Sequence, residues 1–162
     1  MGSRVRVALS ASLLAGALGL GLVGCITTTP SHSTSSIERS ADEAEATLTS
    51  IPGVSDARIG PAKDGFQTYM SINIELSDDF SGSDTELLDQ VLRQVWSQTE
   101  VAPERYAVIR VTGAGRTASG VAAALTELDI RSMKYAQTAL SMISADLEAR
   151  YGTWPQRLAQ TR

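Results

Sequence analysis

From Phe66 to Leu76 the chain alternates strictly: Phe66, Thr68, Met70, Ile72, Ile74 and Leu76 fall on one side, Gln67, Tyr69, Ser71, Asn73 and Glu75 on the other. A period of two is that of a β-strand, and one apolar with one polar face means a sheet packed on a core from one side. The other face is wet or bound. Gln67, Tyr69, Ser71 and Asn73 are therefore a candidate contact surface, because hydroxyl, amide and aromatic groups suit a wet contact with a protein or a glycan.

Helical spacing flanks this strand. Ser35-Ser36-Ile37-Glu38 has the S-x-x-E form of a capping box, and Ile37, Ala41, Ala44, Leu48 and Ile51 follow as one stripe ended by Pro52-Gly53. A short strand is expected over Val54–Ile59, with turns at Gly60-Pro61 and Lys63-Asp64-Gly65. Ser83-Asp84-Thr85-Glu86 repeats the capping pattern before Leu87, Leu88, Val91, Leu92, Val95 and Trp96. Tyr106–Thr112 reads as a third strand. Val121, Ala124, Leu125 and Leu128 suggest a short helix, and Met133, Ala136, Leu140, Ile143 and Leu147 a longer one over Ile130–Tyr151, stopped by Gly152. A last turn is expected at Thr153-Trp154-Pro155-Gln156, with Trp154 half exposed or docking the tail.

The expected order is α-β-β-α-β-α-α: an α+β domain with a small antiparallel or mixed sheet of three to four strands and helices on one face. The passage from a helix through Ile51-Pro52-Gly53-Val54 into a strand and hairpin resembles part of the ferredoxin-like split βαβ pattern, over roughly Ile37 to Thr112. The resemblance implies an α+β sandwich.

The N-terminus carries a different signal. Arg4 and Arg6 precede an uncharged apolar run, Val7–Val23, rich in Gly, Ala and Ser, which ends at the chain's only cysteine in Leu22-Val23-Gly24-Cys25. A basic flank, a short apolar stretch and small residues before the cut define a secretory signal, and the run falls short of the roughly 20 residues of a spanning helix. The tetrapeptide resembles the lipobox of bacterial lipoproteins. That resemblance implies residues 1–24 as a signal peptide, diacylglyceryl on the Cys25 thiol and cleavage before Cys25. Two or three acyl chains hold a protein stably, where one holds it only reversibly. The expected location is extracytoplasmic, on the outer face of the cell membrane. Residues 25–36 then form a tether, eight of the ten positions from Thr27 to Ser36 being Ser or Thr, and residues 37–162 a single domain. Arginine outnumbers lysine 12 to 2, the bias of GC-rich coding DNA, which with the lipobox suggests an actinobacterial source.

Loss of residues 1–24 leaves 138, enough for one domain, with 12 basic and 18 acidic side chains. Such an acidic domain lacks the basic stripe that nucleic acid demands, and it does not dock on anionic lipid by charge. With Cys25 taken by lipid no disulfide forms, so stability rests on the core.

The same inventory narrows the chemistry. His32, the only histidine, lies in the tether, where no packed shell positions an imidazole; histidine triads, histidine zinc sites and cysteine catalysis drop out. Asp78, Asp79, Asp84 and Glu86 fail the calcium-loop pattern, because Phe80 and Gly82 occupy ligand positions, and read as a solvated turn favouring a helix N-terminus. Gly113-Ala114-Gly115-Arg116-Thr117 with Gly120 resembles a phosphate loop but lacks the Lys-Ser/Thr ending, and reads as a flexible strand-to-helix joint. No cofactor is implied. The reading that results is a non-enzymatic envelope lipoprotein that binds an envelope protein or glycan. The alternative is a small hydrolase acting on cell wall or glycan through carboxylates such as Glu75 with Asp78 or Asp79.

Overall fold

The alternation of Gln67–Leu76 becomes an inner strand of the five-stranded mixed sheet that the computed structural model, describing residues 38–155, contains. The elements are α1 (Ala41–Thr49), β1 (Val54–Asp64), β2 (Gln67–Leu76), α2 (Asp84–Ser97), β3 (Tyr106–Gly113), α3 (Ala118–Glu127), β4 (Ser132–Ala136), β5 (Ala139–Ile143) and α4 (Ser144–Tyr151). Across the sheet the strands run β1-β2-β3-β5-β4. β1 and β2 form an antiparallel hairpin, β2 and β3 are parallel, and β5 is antiparallel to both β3 and β4. The one parallel pair needs a crossover, and α2 supplies it. β2 and β3 pair directly, with no strand inserted between them as a split arrangement has.

One side of the sheet is the core. Met70, Ile72, Ile74 and Leu76 of β2, Ala107, Ile109 and Val111 of β3, and Leu140 and Met142 of β5 cluster with the buried residues of all four helices. The α2 stripe from Leu87 to Trp96 is buried as its spacing requires, and the Trp96 indole N–H donates to the Gly152 carbonyl at 2.7 Å. Trp154 packs half-buried against the same core. The class is α+β.

Four expectations need correction. First, the box that caps α1 is Ser40 with Glu43, not Ser35 with Glu38: the Ser40 Oγ accepts from the Glu43 N–H, and the Glu43 carboxylate accepts from the Ser40 N–H. Arg39, just before this cap, is held by donating to Gln94, Ser97 and Thr47, and Ser40 itself is extended. Residues 1–37, with the signal peptide, Cys25, the tether, His32 and Ile37, lie outside the described residues, as does Gln156.

Second, Gly60-Pro61 is not a turn. β1 continues to Asp64, Gly60 opposite Ser71 and Pro61 opposite Met70. β1 is an edge strand, where a residue without an N–H loses no ladder bond. Glu45 of α1 protects the same edge by accepting from the Ile59 N–H at 2.6 Å.

Third, Phe66 does not join the core. It sits with Gly65 in the two-residue loop between Asp64 and Gln67, and its side chain is fully exposed. Alternation continues in sequence past the point where the strand has a sheet to face.

Fourth, there are five strands rather than three to four, because Ile130–Tyr151 is not one helix. α3 ends with Asp129 at φ 60°, its next N–H, from Ile130, donating back to the Leu125 carbonyl at 2.9 Å. That is the left-handed helix stop usually given to glycine or asparagine. A hairpin, β4–β5, and the short α4 follow. Within the hairpin Leu140 and Met142 face the core, a period of two, while Met133 and Ile143 are exposed.

Candidate functional site

The second face of the sheet carries none of the described helices. Register aligns its side chains in rows across the strands. One row is Asp56, Glu75 and Thr112; the next is Arg58, Asn73, Arg110 and Ala139. The third is Gly60, Ser71, Val108, Ser141 and Met133, and the last holds Ala62 and Tyr69, then Tyr106 and Ile143. Gly60, Ser71 and Ser141 make the third row shallow, with Val108, 4% exposed, at its base and the exposed Met133 at its end. Polar Arg58, Asn73 and Arg110 border it on one side and tyrosines on the other.

The tyrosine border is a three-ring cluster. Tyr69 stacks on Tyr106 with centroids 5.3 Å apart and planes 19° apart; Tyr135 lies 5.5 Å from Tyr69 and 6.4 Å from Tyr106. Tyr135 belongs to β4, the far edge, and its hydroxyl meets the Asp64 carboxylate of β1 at 3.3 Å. Four strand spacings in a flat sheet amount to about 19 Å, which no tyrosine spans, so the sheet twists and curls toward this face. The surface is concave, closed at one end by Tyr135.

The cluster shapes its own acidity. Hydrogen bonding to Tyr69, then burial and the negative charge of Asp64, raise the Tyr135 phenol well above the usual tyrosine value. Burial first, then the charges of Asp64 and Tyr69, raise Tyr106. Both phenols keep their protons at physiological pH, and the Tyr135 O–H is given to Asp64. Arg110 is exposed and has no hydrogen-bond or ion-pair partner among the described residues, whereas Arg58 is drawn to Glu45 (3.4 Å) and Asp56 (3.1 Å).

Large apolar exposure concentrates here too. Phe66, Met133, Tyr135 and Ile143 are the exposed large hydrophobic side chains of the described residues; three lie on this face and Phe66 on its hairpin rim. Gathered apolar exposure on a soluble domain marks an interaction site more strongly than scattered exposure does.

Of the four contact residues expected from sequence, Tyr69, Ser71 and Asn73 are half-buried on this concave face, with the Asn73 amide donating to Ser71 Oγ at 3.2 Å. Gln67 is exposed near the hairpin tip. Tyr106 and Arg110 were readable from the alternation of β3 but were not singled out. Tyr135 and Met133 were hidden by the helical assignment of their segment.

The other candidates come apart. Among the described residues no three acidic, histidine or cysteine side chains converge as metal ligands. Asp79 accepts from Ser77, Asp84 pairs with Arg116 at 2.8 Å, and the Glu86 N–H donates to the Ser83 cap hydroxyl. The glycine-rich loop is joined to the start of α2 through Arg116. Arg116 donates to Asp84, to the Ala114 carbonyl at 2.9 Å and to the Gly82 carbonyl at 3.3 Å, and its guanidinium lies 4.9 Å from the Phe80 ring. Gly113, at φ +85°, lies so close to Leu76 that a Cβ there would be 1.9 Å from the carbonyl oxygen. Beside Phe80 a cavity of about 310 Å³ opens between Ile51-Pro52 and α2. Glu75 is exposed, and Asp78 lies in the following turn.

No helix of the described residues is long and apolar enough to cross a membrane. Comparison with protein-family models, with curated proteins and with solved structures found no match for this chain.

Proposed function

We propose that this chain is a lipoprotein anchored through Cys25 to the outer face of the cell membrane, whose domain binds another envelope component without catalysing a reaction. The observation that carries the binding half is the concave, helix-free sheet face, where the exposed apolar side chains gather around Tyr69, Tyr106 and Tyr135. The Tyr69 and Tyr106 phenols, the Asn73 amide and Arg110, which has no partner among the described residues, supply donors and a cation, and the rings supply flat apolar area at low conformational cost. This is the composition of wet protein and glycan contacts. The anchoring half rests on Leu22-Val23-Gly24-Cys25 with its basic flank.

The test is capture from cells. The full chain and a Cys25→Ser variant are crosslinked mildly in place and purified, and the bound envelope components are identified. A saturable partner recovered from the membrane fraction only with Cys25 intact supports the reading. Equal recovery without Cys25, or cell-wall turnover abolished by Glu75→Ala or Asp79→Ala in a folded domain, overturns it.

A further inference from the structure

We infer that the β1–β2 hairpin tip is a second contact, in which Phe66 inserts into the surface of the membrane that anchors the chain. The inference rests on the anchored reading above and adds where the domain touches the bilayer.

Three observations lead there. The hairpin outruns the sheet: β3 begins to pair with β2 at Met70, while Lys63–Thr68 and Asp64–Gln67 pair only with each other. Two strands therefore extend about 10 Å beyond the pairing of β3, held on one side by the Asp64–Tyr135 contact and bare at the turn. At its tip Phe66 has its side chain fully in water, and Gly65 at φ +60° makes the tight turn. A phenylalanine at this tip adds nothing to the core and is open to contact.

The chain also enters the domain at this end. α1 runs antiparallel to β1, with Glu45 bonded to Ile59 and the helix ending just before Val54, so its N-terminus lies toward the hairpin end of the strand. The entering residues are fixed there by the loop that leads into β3: the Thr99 N–H donates to the Arg39 carbonyl at 2.9 Å, and the Ala41 N–H to Glu100 at 2.9 Å. Between Glu38 and Cys25 the backbone spans at most about 45 Å when fully extended. The bilayer is thus always within reach of this end of the sheet. Tethering makes the encounter intramolecular, so the tip needs far less affinity for the bilayer than a free domain would.

Charge gives the contact its signature. The acidic domain is not drawn to anionic lipid, and Lys63 and Asp64 beside the tip offset each other. Insertion is apolar, and salt leaves it unchanged.

The experiment uses the full lipidated chain in phosphatidylcholine–phosphatidylglycerol vesicles. With Cys25 carrying lipid, a single new thiol is the only labelling site. An environment-sensitive fluorophore is placed by Gln67→Cys beside the tip or by Ser81→Cys in the loop at the opposite end of the sheet. The tip probe is expected to shift to the blue and to be quenched by lipids with a nitroxide near the headgroup, equally at low and high salt. The Ser81 probe stays wet, and Phe66→Ser abolishes the response of the tip probe. A tip probe as wet as the Ser81 probe on vesicles that carry the protein overturns the inference alone. A dry tip probe that lipid does not quench also overturns it, and assigns Phe66 to a protein contact or a second copy. Protein that fails to float with vesicles overturns the anchored reading as well.

Discussion

The hydroxyl of Tyr135, on one edge strand of the sheet, lies 3.3 Å from the carboxylate of Asp64, on the opposite edge strand. That contact closes one end of the concave face and ties the projecting hairpin to the body of the domain. It also puts two phenols, Tyr135 and Tyr106, under a nearby negative charge.

Alkaline pH therefore loosens this end. The folded-state values of Tyr106 and Tyr135 are raised above the usual value near 10, so their contribution to stability is complete below that pH and is lost as pH rises through the folded values. Ultraviolet titration should show three tyrosines, these two and the buried Tyr151, ionising later than free tyrosine, with the melting temperature falling above about pH 10. Tyr135→Phe removes one of these late titrations, and Tyr135→Ala speeds amide exchange at Lys63–Thr68 with little change in melting temperature.

The acid limb is set elsewhere. Burial pushes the Asp89 carboxyl up, but hydrogen bonds from Arg93, Arg150 and Tyr151 together outweigh it and hold it below the usual carboxylate value. The side-chain hydrogen bond from Arg131 does the same for Asp146. Both contributions are present above the unfolded value near 3.8 and are lost as pH falls below it. Asp89→Asn should lower unfolding free energy by about 1–2 kcal/mol at neutral pH in urea melts and flatten the acid side of the stability profile.

Much of this was legible in the sequence. β2 could be read because its polar and apolar residues alternate without exception, and α2 because a serine cap precedes an unbroken stripe. The β4–β5 hairpin was not legible. Its turn, Gln137-Thr138, has no Gly, Asn, Asp or Pro, and Asp129 ends α3 where glycine would have signalled the stop. Met133, Ala136, Leu140, Ile143 and Leu147 fit a helical stripe equally well, and only pairing with β3 selects the strand. The candidate face was half visible for the same reason: Tyr69, Ser71 and Asn73 lie on the legible strand, Tyr135 and Met133 on the hidden one.

The glycine-rich loop should answer to mutation as structure. Arg116→Ala leaves Asp84 unpaired and removes the cation from the Phe80 ring, at a cost of about 2 kcal/mol in unfolding free energy. Gly113→Ala meets the Leu76 carbonyl in a left-handed backbone conformation and should cost about 3 kcal/mol or more. Thermal melts of the two variants check both values.

Binding variants should separate from folding variants. Tyr69→Ala and Arg110→Ala lie away from the core cluster, so melting should change little while partner recovery falls. Leu48→Ala, at a fully buried site, should cost about 2–5 kcal/mol and reduce recovery only through loss of folded protein.

The central claim is tested most directly by site-specific photocrosslinking in cells, with the photoreactive side chain placed at Asn73 on the open face or at the exposed Gln90 on α2. A saturable envelope adduct is expected from position 73, absent from position 90 and lost with Tyr69→Ala. Equal adducts from both positions, or an adduct from 73 that survives Tyr69→Ala and Arg110→Ala together, would contradict it.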